Sequence, residues 1–114
     1  MIEIEIMPAF RSDGGYLMAR GHAEKGHELV CNAVTVIEDC LAANLANTWS
    51  LKVRRKVEKG RYELRWNKAD RQGKSLHRAN SAAGFAYTGL KALAAQYPED
   101  VHVTWQQPFA ERRD

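Results

Sequence analysis

Ile2, Ile4 and Ile6 alternate with Glu3 and Glu5, a period of two that predicts a strand with one buried face, closed by Pro8. The run Ser12-Asp13-Gly14-Gly15 supplies turn chemistry, so Tyr16 to Gly21 is expected to return as the second arm of a hairpin. From Val30 the period changes. Val30, Val34, Ile37, Leu41 and Leu45 fall on one stripe of a 3.6-residue helix, predicted from near Glu28 to near Ala46. Glu28, just ahead of the stripe, is placed to cap first-turn amides and to complement the positive end of the helix dipole. Tyr62, Leu64 and Trp66 alternate with Arg61, Glu63 and Arg65, and the segment Trp49 to Val57 precedes them across a Lys59-Gly60 turn, which predicts a second hairpin. Residues 67–75 carry few apolar side chains and read as a loop. A second helical stripe follows at Ala79, Ala83, Ala86, Leu90, Leu93 and Tyr97, stopped by Pro98, and Val101, Val103 and Trp105 predict a last short strand. The order ββαββαβ points to the α/β (α+β) class: a small two-layer sandwich of a mostly antiparallel sheet and two packed helices.

Composition adds a domain count. With 114 residues, 45% apolar and 27% charged, the chain suits one globular domain, expected over residues 1–106, with 107–114 as a frayed tail. The start lacks the basic and apolar regions of a secretory signal, and no uninterrupted apolar run approaches a membrane span, so a cytoplasmic protein with no membrane partner is expected. Charge is regional: residues 1–51 carry net −4, residues 52–78 net +8 and residues 79–114 net −1. A basic hairpin with Tyr62 and Trp66 interleaved is the footprint of an RNA contact, through Arg54, Arg61 and Arg65. It is equally the pattern of a solvated, edge-protected strand face.

In a reducing compartment Cys31 and Cys40 are expected to be free thiols. Cys40, flanked by Ile37 and Leu41, reads as a core thiol. Cys31 and His22 carry the candidate chemistry. His22 follows Gly21 at the end of the second strand, Cys31 sits in the first turn of the first helix, and a glycine-containing turn between them can fold the imidazole back toward the thiol. Helix-end amides and a neighbouring imidazolium favour a thiolate, and a protonated imidazole can hand its proton to a departing amine. The alternative is a first-turn cysteine that simply packs beside Val30. His22, His27, Cys31 and Cys40 lack metal-ligand spacing, and no metal is expected.

Gly21-His22-Ala23, a linker containing Gly26, and Glu28-Leu29-Val30-Cys31-Asn32-Ala33-Val34-Thr35 together resemble the signature of the Prp family of bacterial ribosomal-processing cysteine proteases. That signature reads roughly G-H-A, a glycine-containing loop, then D-[IL]-V-C-A-A-V-S. The resemblance covers most of the chain, with its specificity in residues 21–35. It implies Cys31 as nucleophile and His22 as its partner in a Cys-His dyad, with Thr35 on the position of a family Ser and Gly21 and Glu28 as supporting residues. It further implies a small α/β sandwich that forms a homodimer, needs no cofactor, and removes an N-terminal extension from a large-subunit ribosomal protein after an aromatic residue. Glu28 stands for the family's Asp and Asn32 for its Ala, and the linker is shorter than in many members. Those departures keep the dyad, bear on substrate choice, and suit a bacterial or a phage-encoded member. The competing class is a non-catalytic RNA-binding or ribosome-associated module built on the basic segment 52–78.

Overall fold

The computed structural model describes residues 1–9, 14–48, 52–67 and 74–106. Its elements are β1 (Ile2–Met7), β2 (Gly15–Arg20), α1 (Glu28–Ala43) continued by a π-helical turn (Asn44–Thr48), β3 (Lys52–Glu58), β4 (Arg61–Asn67), α2 (Lys74–Gln96) and β5 (Val101–Trp105). The order ββαββαβ and both hairpins follow the hydrophobic periods. Of the expected loop over 67–75, Asn67 pairs in β4 and Lys74 and Ser75 belong to α2, and residues 68–73 lie outside the described residues. Backbone pairing and the helical repeat extend past the last apolar marker on each side. The Ser12-Asp13 turn, Trp49, Leu51 and the 107–114 tail lie outside the described residues.

The five strands run β3-β4-β2-β1-β5, antiparallel except for the parallel pair β1–β5. Register aligns the apolar rows on one face: Ile4 is opposite Ala19 and Val103, and Leu17 is opposite Leu64. Both helices cover that face, through Val30, Val34 and Leu41 of α1, Leu45 of the π-helical turn, and Ala79, Ala83 and Leu90 of α2, all buried. The small residues of α2 let it lie close to the sheet. Glu28–Ala46 is long and apolar enough to cross a membrane by length and composition alone, but here its apolar stripe is packed on the sheet as a core helix.

At the β3 edge the helix layer runs out. Arg55 and Val57 point to the helix side of the sheet, paired with Leu64 and Tyr62, yet both are exposed. The uncovered strip between α1 and the β3–β4 hairpin is a cleft.

Candidate active site

The first helix and the second strand bring the candidate residues to one end of this cleft. Gly21, just beyond β2, has φ +98°, and a Cβ there would run into the carbonyl of Met1. Its N–H donates to the carbonyl of Gly60 at 2.9 Å. Gly60 occupies the β3–β4 turn with φ +72°, and a Cβ there would lie 2.7 Å from Nε2 of His22. The imidazole therefore rests against a hairpin tip that only glycine leaves open, a support the sequence reading saw merely as a turn.

His27, not Glu28, is the residue before α1, and it makes no side-chain cap. Glu28 lies inside the first turn and is exposed, so it can complement the helix dipole but not cap the amides as expected. The connection is anchored from elsewhere. Asp100, 2% exposed, accepts the N–H of Glu24 at 2.9 Å and bonds Nδ1 of His27 at 2.7 Å. The Glu24 amide first, and His27 next, hold the Asp100 carboxyl below its usual range; the Asp100 bond raises His27 above its own. Glu24, His27 and Asp100 each bring a ligand atom within 4.8 Å of the others, a grouping unlike the His22, His27, Cys31 and Cys40 set excluded on spacing. Here the nearest His27 and Asp100 atoms are already bonded to each other.

Cys31 is half-buried, and its Sγ accepts the N–H of Ala23 at 3.5 Å, which joins the thiol to the residue next to His22. A cleft of about 340 Å³ is lined at this end by Gly21, His22, Cys31, Val34 and Thr35. Four predicted residues thus meet in one cavity: Cys31, His22, Thr35 and Gly21. Glu28 does not line it. Among the described residues no carboxylate bonds the His22 ring; Asp39 instead accepts from Arg55 at 2.9 Å and Tyr62 at 3.1 Å.

The far end of the cleft carries the feature the sequence reading missed. Glu38 is 2% exposed and lines the cavity, and its Oε2 has no hydrogen-bond partner among the described residues. Burial first, and Asp39 second, push its pKa up to about 8. Burial and the bond to Asp39 likewise raise the Tyr62 hydroxyl. Glu38 takes the sheet-facing place expected for Ile37, which is only partly buried. The signal existed, since 34, 38, 41 and 45 share one helical face as well as 34, 37, 41 and 45 do. Cys40 is corrected too: it is exposed, because it turns away from the sheet into an apolar groove of about 730 Å³ shared with Val36 and Phe85.

Arg54 and Arg65 lie on the sheet face opposite the helices, and Arg61, at the hairpin end of β4, also borders the cleft. Arg54 pairs directly across from Arg65, Arg61 bonds Glu63 at 2.6 Å, and Arg65 stacks 5.6 Å from the centre of the Tyr16 ring. Arg55 faces the other way, into the cleft.

The family model described as cysteine protease Prp matches residues 1–102. No curated protein matches. Among solved structures the chain is similar to the essential ribosomal processing protease Prp from S. aureus in complex with a covalently linked product peptide, at 15% identity and TM-score 0.72, covering 93% of this chain and 100% of that one. The same S. aureus protease with a substrate peptide aligns at 14% identity and TM-score 0.73, covering 93% and 100%. SMU.848 from Streptococcus mutans aligns at 22% identity and TM-score 0.71, covering 93% of this chain and 97% of that one.

Proposed function

The chain belongs to the Prp family of cysteine proteases, and on that premise we propose that Cys31 and His22 are its catalytic dyad. The observation that carries this reading is the shared cleft, with the thiol at the start of α1, the imidazole across from it, and the Ala23 amide on the sulfur. Sγ of Cys31 attacks the peptide carbonyl carbon. His22 takes the thiol proton and passes it to the leaving amine, whose C–N bond breaks to leave an acyl-enzyme. Water then attacks the thioester with His22 as base, releasing the carboxylate product and the thiol. Thr35, exposed on the cleft wall, offers a hydroxyl to the bound peptide.

The substrate proposed is an N-terminal extension of a ribosomal protein, as the resemblance implies; the S. aureus relatives with bound peptides support a peptide occupant for such a cleft. Cys31→Ala and His22→Ala should each lower cleavage of an extended ribosomal-protein substrate by a factor of about 10³ or more, followed by mass spectrometry, with unfolding midpoints unchanged. Undiminished cleavage by Cys31→Ala would sink the reading. Gly60→Ala, which crowds the His22 ring, should slow cleavage roughly tenfold without preventing folding. The proposed homodimer would bury the α1–α2 groove, where Val36 is 60% and Phe85 84% exposed. Sedimentation of Phe85→Glu as a monomer, against a wild-type dimer, tests it.

A second reading, an RNA contact on the outer sheet face, is favoured by one observation: Arg54 and Arg65 lie directly opposite each other across β3 and β4. Reversing both charges should then weaken RNA binding and flatten its salt dependence; absence of binding by the wild type discards it.

A further inference from the structure

Among the described residues, the charged side chains along the cleft are paired with one exception. Asp39 is held by Arg55 and Tyr62, Glu58 by Lys56 at 3.4 Å, and Arg61 by Glu63. Glu38 alone has an oxygen without a partner, at 2% exposure. Burying such a group unbonded costs free energy that a leucine at the same place would not cost. Glu38 lines the cleft, so a rotation of its carboxyl presents that oxygen to a side chain entering there.

Cys31 and Glu38 are seven residues apart on α1. Two helical turns put them on one side of the helix, about 10 Å apart along its axis. An extended peptide covers that span in about three residues. Resting on the protease reading above, we propose that Glu38 forms the floor of a specificity subsite that takes a lysine or arginine side chain, two to four residues from the bond cut at Cys31.

The charges facing that floor decide the chemistry. Asp39 from α1 is paired with Arg55 of β3, Glu58 of β3 with Lys56, and Arg61 of β4 with Glu63; Tyr62, His22 and Cys31 are the other titratable groups on the walls. The charge still to be matched is that of Glu38 itself, and it is negative once ionised. A cation converts the orphan oxygen into a charge-assisted pair, about twice as strong as a neutral hydrogen bond. An amide gains less, and an apolar side chain leaves the oxygen unpaired. Because burial holds the Glu38 proton up to about pH 8, binding the cation at neutral pH must expel that proton. Affinity for a basic peptide should then climb up to tenfold per pH unit and level off near pH 8.

The test uses one peptide series with lysine, arginine, glutamine or norleucine scanned across the positions flanking the cleavable bond. Binding to Cys31→Ala is read by fluorescence anisotropy from pH 6 to 9, and cleavage by wild type in parallel. Lysine or arginine at one position should bind Cys31→Ala at least tenfold tighter than norleucine, with the stated pH slope, and Cys31→Ala/Glu38→Leu should lose both. No such position, or a preference surviving in the double variant, overturns the subsite. Wild-type comparison of the peptides decides the matter even if the double variant fails to fold. Cleavage indifferent to the scanned residue would remove the subsite and leave the protease standing; a binding preference without any cleavage would do the reverse.

Discussion

Asp100 and Glu38 are equally buried acids, each 2% exposed, yet their carboxyls are pushed in opposite directions. Asp100, under the β2–α1 connection, receives an amide and an imidazole and stays ionised. Oε2 of Glu38, on the cleft floor, receives no donor among the described residues, and the carboxyl holds its proton to about pH 8. Burial alone favours the neutral form, and donors aimed at the oxygens reverse that preference. One acid therefore fastens the chain segment that carries His22, and the other leaves an unmet demand where a peptide would pass.

That contrast can be broken by substitution. Asp100→Ala removes the acceptor of the Glu24 amide and of His27 and frees the 23–27 segment, and the unfolding midpoint should fall by roughly 5–15 °C, with cleavage reduced as His22 loses its footing. Thermal unfolding within 2 °C of wild type would mean that the clamp is idle. Glu38→Leu should do the opposite. The folded Glu38 pKa lies above its ordinary 4.5, so the wild type is most stable below that pH and loses stability up to about 8. The loss is roughly 5 kcal/mol at most. Urea unfolding of Glu38→Leu at pH 9 should thus show a higher midpoint than wild type, with the gain shrinking toward pH 5. A midpoint drop at every pH would show that the carboxyl is satisfied after all.

His27→Ala sharpens the comparison with the smallest effect. His27 is raised and Asp100 lowered, so their bond is fully present between the ordinary Asp value of 3.8 and the ordinary His value of 6.5. It is lost as pH rises through the raised His27 value, and again as pH falls through the lowered Asp100 value. The variant should therefore be slightly less stable than wild type at pH 5.5 and closer to it at pH 9, as read from denaturation midpoints. NMR titration of the His27 ring at or below 6.5 would remove the basis for that window.

Legibility in the sequence followed the range of each interaction. The alternation at Ile2, Ile4 and Ile6 and the stripe from Val30 to Leu45 are local, and they announced the strands and helices they form. The Gly21-His22 and Cys31 pair was legible for the same reason: a short turned connection joins them. Glu38 carries no such signature, because a carboxylate reads as facing water although its spacing matches the buried row. Cys40 was misplaced by reading a flanking position as a central one. Asp100 bonds His27 across 73 positions of chain, and no local pattern reports such a contact.

Local pattern is enough to dictate the ββαββαβ order, the apolar face of each element and the approach of the His22 segment to Cys31, because each depends on neighbours a few residues away and on backbone geometry. Tertiary structure alone decided that the β3 edge stays uncovered to make a cleft, that Gly60 from a distant hairpin seats the His22 ring, and that two acids of equal burial meet opposite surroundings. Those outcomes depend on which groups from remote segments arrive at a buried atom, and a carboxyl's ionisation follows from that arrival.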